Sequence, residues 1–278
     1  MALIPPFYID CVVAIGTTID NKKYWLGTGF LFGKFLKKSE DGKHEHYRVY
    51  LVTNKHVIEN KQTIQIRFNP KTDQPARDYS VHLTDKDNNL IWTGHPDPEI
   101  DVAVVEIDIN KIKEEGMKFS FFQSQKHIAD KKKLMEVGAM EGDFVFVLGF
   151  PMGIVAEDRQ HVFVRNGTIA RIHDLYEKRS KDFVVDALVF PGNSGGPVIS
   201  KPEIVGIEGT KFSNEANLIG MVKSYIPYTD VAISQQTNQP RITFEENSGL
   251  SKVEPIDHVI ETIEEAEKKK NALQYIGI

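Results

Sequence analysis

Cysteine is nearly missing from this chain: Cys11 stands alone in 278 residues. No intrachain disulfide can form, so stability must come from a packed core, as it does in reducing compartments. Long apolar runs are missing too. None approaches the roughly 20 residues that cross a bilayer, and no membrane partner is expected. Positive charge is in deficit, with 34 Lys and Arg against 39 Asp and Glu for a net charge of −5. A protein that holds nucleic acid by neutralising phosphates needs the opposite balance, so nucleic acid is not an expected partner either. The opening MALIPPFYIDCVVAIG has no basic leader, breaks its apolar run at Pro5 and Pro6, and offers no small-residue cleavage pattern. No signal peptide is read there, and a cytoplasmic location is expected. Repeats and low-complexity segments are also lacking. What remains is a chain with 41% hydrophobic residues, enough to build the core of one large domain or two small ones.

Helical periodicity is scarce before residue 250. Short runs rich in Val, Ile, Phe and Tyr recur instead, among them CVVAI, WLGTGFLF, YRVYLVT, DVAVVEI, FVFVLGF, FVVDALVF, IVGIEG and LIGMVKSYI. About twelve such runs, separated by turn residues, predict an all-β fold of sandwiches or barrels, not a parallel sheet with crossover helices. The charge-rich stretch 113–140 reads as a connection between an N-terminal unit over 1–112 and a C-terminal unit over 141–235. The tail differs. Pro255 suits a first helical position, and Ile256, Val259, Ile260 and Ile263 fall at i, i+3, i+4 and i+7. Acidic residues come early and Lys268 to Lys270 late, as the helix dipole favours, so a helix over 254–273 is expected to close against the rest.

Glycine is concentrated where a strand could least use it. VFPGNSGGPVIS, residues 189 to 200, sets Gly192, Gly195 and Gly196 about Ser194. Glycine loses more conformational entropy on folding than any other residue, so this crowding must gain something. A sharp bend would present the serine hydroxyl, and unshielded amide N–H groups beside it could bind an anion. A serine becomes a nucleophile only when a base takes its proton, and the base works best when a third group fixes its tautomer. His56 follows a strand in LVTNKHVIEN, and Asp101 opens an alternating strand in HPDPEIDVAVVEI, flanked by Asp97 and Asp108 as competing acids.

The order His56, Asp101, Ser194, with GTGFLF before the histidine, DVAVVEI at the acid, EGDFVFVLGFPMG and DALVFPGNSGGPV, resembles the trypsin-like serine peptidases. Within them the resemblance is closest to the protease domain of the high-temperature-requirement proteases and spans roughly residues 10 to 230. It implies a chymotrypsin-like double barrel of two six-stranded antiparallel barrels, His56 and Asp101 on the first and Ser194 on the second. It also implies a serine endopeptidase acting on proteins or peptides through an acyl-enzyme, with no metal or organic cofactor. The loop Gly192, Asn193, Ser194 would be the oxyanion hole, with the N–H groups of Gly192 and Ser194 as donors. The substrate pocket would be formed by Leu188, Glu208, Gly209 and Thr210. Leu188, six residues before Ser194, stands where members that cut after lysine or arginine carry an aspartate, which favours small or medium aliphatic residues. A carboxylate at Glu208 keeps a basic preference open.

The departures from the family pattern matter as well. Asn193 replaces an aspartate that pairs with a newly cut N-terminus, so activation by cleavage is not expected. That leaves a site formed at rest, or one gated by loop movement or an activating protein partner. Gly209 stands where the family often carries a Ser or Thr supporting the acid, and Thr210 could substitute only through a bulge. About 48 residues follow Asp230, too few for a typical domain, so no PDZ domain is expected. Two other activities compete with the peptidase: an esterase using the same triad, and a binding or sensor module that keeps the fold with little turnover.

Other motifs have plainer readings. GTGFLFG lies in a strand pattern with no helix after it, which does not suit a nucleotide loop. His44 and His46 sit in a polar hairpin segment and read as solvated, not as a metal pair. Cys11 reads as a small packed residue, and the lysine triplets at 131–133 and 268–270 as solvated faces.

Overall fold

The computed structural model describes residues 4–203, 208, 210–211 and 213–276. Apolar residues along Val12–Ile19 form β1, which turns through Asp20 and Asn21 into β2 (Lys22–Lys38). Both turn residues have positive φ, 49° and 61°, the conformation a two-residue hairpin needs to match strand twist. Next come β3 (Glu45–Thr53), β4 (Thr63–Phe68), β5 (Arg77–His82), β6 (Thr93–Gly94), β7 (Ala103–Glu106) and β8 (Phe122–Gln123). These eight strands make one sheet in the order β5-β4-β1-β2-β3-β7-β6, with β8 added in parallel to β2.

The second unit closes fully. β9 (Phe144–Gly149), β10 (Phe163–Arg171), β11 (Phe183–Asp186), β12 (Pro197–Ser200), β13 (Leu218–Ile233) and β14 (Pro240–Pro255) form a six-stranded barrel ordered β10-β11-β14-β13-β12-β9. A chymotrypsin-like double barrel results, with one barrel closed and the first unit an eight-stranded sheet. The C-terminal boundary expected at 235 is too early, because β14 supplies the sixth strand and runs to Pro255. The outer half of β14 is exposed, Ile242 and Phe244 included, so its apolar residues mark no core-facing stripe. The expected IVGIEG strand lies, apart from Glu208, outside the described residues.

Short helices punctuate the strands: α1 (Lys55–Ile58), α2 (Ile109–Glu114), α3 (Lys131–Val137) and α4 (His173–Tyr176). Asp130 caps α3 by accepting from Lys133 N–H, and left-handed Gly138 ends it. The tail forms α5 (Ile256–Ile276), with Ile256, Val259 and Ile263 fully buried. Its polar side reaches the first sheet through Lys34–Glu267 and Lys270–Glu106, partly exposed pairs worth about 0 to 1 kcal/mol each. The tail therefore closes against both units. Among the described residues no helix is long and apolar enough to cross a membrane.

Three apolar clusters organise the core. One fills the first unit around Leu31, Leu51 and Ile64, and one fills the barrel around Val147, Val185 and Val198. The third joins the units, packing Phe30 and Phe122 with Leu148, Phe150 and the apolar face of α5. Full burial of one such side chain contributes about 1.5 to 3 kcal/mol, so the two units are locked by packing at their junction.

Candidate active site

The base and the acid come from the first unit. β3 ends at Thr53, and fully buried Asn54 passes the chain into the single turn α1. Val57 and Ile58 turn into the core, which leaves His56 outward with 46% of its side chain exposed. Asp101 lies just before β7. Its Oδ2 is 2.5 Å from His56 Nδ1, and its Oδ1 accepts from the His56 backbone N–H at 3.3 Å. Asn54 Nδ2 holds the Asp101 carbonyl at 2.6 Å. Burial pushes the Asp101 carboxyl up, but the His56 ring and the backbone donors outweigh it and hold the group below the usual carboxylate range. An ionised Asp101 accepts a hydrogen bond from His56 Nδ1–H, which fixes the tautomer and leaves Nε2 as the free acceptor. The competing acids are occupied elsewhere: Asp97 pairs with Lys181, and Asp108 caps α2.

Ser194 sits between β11 and β12 on a turn that Thr28 of β2 fastens across the junction. Thr28 N–H donates to the Ser194 carbonyl at 2.9 Å, and its hydroxyl donates to the Gly192 carbonyl at 2.7 Å while accepting from Phe150 N–H at 3.0 Å. Thr53, three residues before His56, donates to the Thr28 carbonyl at 2.8 Å. A side chain at Gly27 would meet both Val57 and the Ser194 carbonyl, the latter at 3.2 Å, so the serine turn and α1 face the same glycine. Among the described residues the Ser194 hydroxyl takes no hydrogen-bond partner. Catalytic contacts often close only around bound substrate.

Two of the glycines are dictated by this geometry. Gly192 and Gly195 have φ of +98° and +82°, and a Cβ would strike the Phe150 carbonyl at the first and the Thr28 carbonyl at the second. The carbonyls of the turn are all held: Pro191 O by Met152 N–H at 2.5 Å, Gly192 O by Thr28, and Asn193 O by Gly196 N–H at 2.8 Å. In a trans peptide the N–H lies opposite the C=O. The N–H groups of Gly192 and Ser194 are thereby turned away from these contacts, and neither has an acceptor among the described residues. A pair of uncommitted donors beside a serine can stabilise an oxyanion. Asn193 plays a different part from the one expected. Its N–H donates to Phe190 O at 2.9 Å and its Oδ1 accepts from Phe190 N–H at 3.0 Å, so it closes the turn with its backbone donor committed, while its Nδ2 is buried without a partner among the described residues.

The pocket expectation also needs correction. Leu188 is 44% exposed on the approach to the turn, held by Ala187 N–H to Gly249 O and by Asn247 Nδ2 to Val189 O, both contacts to β14. The strand beside the serine turn is β13, through Gly195 N–H to Val222 O and Val222 N–H to Gly196 O. Glu208 and Thr210 are exposed and belong to the segment beyond the far end of β12, where Lys211 Nζ donates to Glu136 O of α3. Gly209 lies outside the described residues. β13 therefore flanks the serine turn, since only pairing decides which apolar run after Ser194 lies beside it. Thr28 was missed altogether, although the GTGF run that contains it was legible. Among the described residues no three His, Cys, Asp or Glu side chains converge to hold a metal ion.

A double β-barrel with a serine turn facing a histidine–aspartate pair at the junction defines the chymotrypsin-like class of folds. The family described as "Trypsin-like peptidase domain" matches residues 27–207, and the chain belongs to that family. It is 26% identical over 204 residues to a "Probable periplasmic serine endoprotease DegP-like" of Chlamydia pneumoniae, covering 73% of this chain and 32% of that protein. A protein of the same name in Rhizobium meliloti is 29% identical over 198 residues, 70% of this chain and 30% of the other. The chain thus spans about a third of the length of these relatives. The crystal structure of scabies mite inactivated protease paralogue S-I1 aligns with a TM-score of 0.50 at 12% identity, covering 95% of this chain and 96% of that one, a likeness of fold.

Proposed function

We propose that the chain is a serine endopeptidase that cleaves protein or peptide substrates through His56, Asp101 and Ser194. The observation that carries this reading is the His56–Asp101 hydrogen bond at the same junction as a serine turn with two uncommitted amide donors. Ser194 Oγ attacks the scissile carbonyl carbon while His56 Nε2 takes its proton. Asp101 stabilises the imidazolium, and the Gly192 and Ser194 N–H groups stabilise the new oxyanion, each donor contributing about 3 kcal/mol. Collapse breaks the C–N bond as His56 returns the proton to the leaving amine. Water, deprotonated by His56, then hydrolyses the acyl-enzyme and restores Ser194.

Held carbonyls on the turn favour a site formed at rest, with no activating protein partner required for basal turnover. Leu188, apolar and half exposed on the approach to the turn, favours cleavage after aliphatic residues. A cytoplasmic location is a proposal set beside relatives named as periplasmic, and cell fractionation decides between the two. Labelling by a serine-reactive phosphonate, with Ser194→Ala as control, tests the reading. Stoichiometric labelling of the wild type alone supports it, and no labelling favours the binding or sensor module.

A further inference from the structure

A completely buried carboxylate stands behind the acid of this site. Glu254, the last residue of β14 but one, has no exposed surface, and donors from three segments converge on it. Its Oε1 accepts from the Asp101 backbone N–H at 2.9 Å and from Lys223 Nζ of β13 at 2.9 Å, and its Oε2 accepts from His258 Nδ1 of α5 at 2.7 Å. A buried charge is costly unless it is paired and hydrogen-bonded, and these three donors meet that requirement. Burial alone pushes the Glu254 carboxyl up, but the donors outweigh it and keep it ionised below its usual range.

The same group ties the two units together at one residue. Lys223 also donates to the Glu99 carbonyl at 2.8 Å, so the chain is held to the barrel at Glu99 and again at the Asp101 amide. From the opposite side, Asn54 holds the Asp101 carbonyl at 2.6 Å. The Asp101 backbone is thus fixed at both its N–H and its C=O, by groups from different barrels, while its carboxylate reaches His56.

We propose that Glu254, together with Lys223, is a positioning residue that sets the Asp101 backbone so that its carboxylate meets His56 Nδ1. The proposal rests on the peptidase reading for its kinetic consequence, but the positioning itself concerns the His56–Asp101 bond. A misplacement of about 1 Å far from the reacting atoms can cost on the order of 10²-fold in rate.

The test uses the full chain, with the low-field proton resonance of His56 Nδ1–H and the rate of phosphonate labelling as separate readouts. Glu254→Ala should broaden or abolish that resonance and slow labelling by roughly 30- to 100-fold per folded molecule, with KM for a peptide substrate little changed. Glu254→Gln, which retains an acceptor for the Asp101 amide, should recover part of the loss. If Glu254→Ala lowers thermal stability but leaves the resonance and the per-molecule rate intact, the residue is merely structural and the proposal is overturned. Should Glu254→Ala not fold, Lys223→Met carries the test, because it releases the Glu99 carbonyl and removes the cation that holds the Glu254 Oε1 against the Asp101 amide. A several-fold slower labelling with a shifted resonance supports the proposal, and wild-type values for both overturn it. A wild type that takes no phosphonate defeats the peptidase reading instead, and the resonance in each variant still decides the positioning.

Discussion

In the first unit, the groups at the site are side chains leaving the ends of elements: His56 from one helical turn after β3, and Asp101 from the segment before β7. In the second unit they are mostly backbone: two amide donors on a glycine turn whose carbonyls are each held by another residue. The units differ in the same sense architecturally, a sheet with free edges against a closed barrel. A side chain can be placed by a few bonds to its own backbone, as those from Asn54 and Glu254 to Asp101 show. A backbone donor faces the right way only when both neighbouring peptides are fixed, and that requires Thr28 from one part of the chain and Phe150 and Met152 from another.

The largest effects should come from removing the chemistry on either side of this comparison. Ser194→Ala and His56→Ala should each lower kcat on the order of 10⁶-fold, and Asp101→Asn about 10⁴-fold, with thermal midpoints close to the wild type. Peptidase turnover retained in purified Ser194→Ala, free of contaminating protease, would falsify the triad. The backbone side should fail differently. Gly195→Ala should destabilise the fold by about 3 kcal/mol, because it combines a left-handed φ with a clash against the Thr28 carbonyl. Urea unfolding measures this, and a loss under about 1 kcal/mol would mean the turn can relax.

Thr28→Ala tests whether the first unit sets the donors of the second. It frees the Gly192 carbonyl and should lower kcat roughly 10- to 100-fold, with Thr28→Ser restoring most of the rate. Equal activity in both variants would break the link between the units. For specificity, Leu188→Asp should redirect cleavage from aliphatic towards basic residues, whereas Glu208→Gln should leave the cleavage profile unchanged. A library profile dominated by lysine or arginine in the wild type, and lost in Glu208→Gln, would put Glu208 in the pocket wall.

The smallest effect concerns pH. Burial raises the Glu141 carboxyl, but the N–H groups of Ile172 and His173 and the His173 ring outweigh it and lower it to about 2. Its folded value lies below its unfolded one, so its stabilising contribution is complete above about pH 4.5 and is lost as pH falls towards 2. Glu141→Gln should flatten that acid-range loss slightly in urea titrations at several pH values, since the side chain is partly solvated. A curve identical to the wild type would show that the bonds hold no more tightly in the folded barrel than in the unfolded chain.

The β fold, the C-terminal helix, the catalytic candidates and the glycine turn were all legible in the sequence, because each is written locally. Runs of Val, Ala and Ile mark β1 and β7, a 3.6-residue stripe marks α5, and GNSGGP has few uses beyond a bent backbone. Tertiary structure alone decided which strand flanks Ser194, that β14 closes the barrel, that Asn193 folds back on Phe190, and that Glu254 lies behind Asp101. These depend on strand pairing and on contacts between residues up to 153 positions apart. Periodicity reports which face of an element is apolar, not which element lies beside it, and a buried carboxylate reads like any surface glutamate until the donors that neutralise it are brought around it.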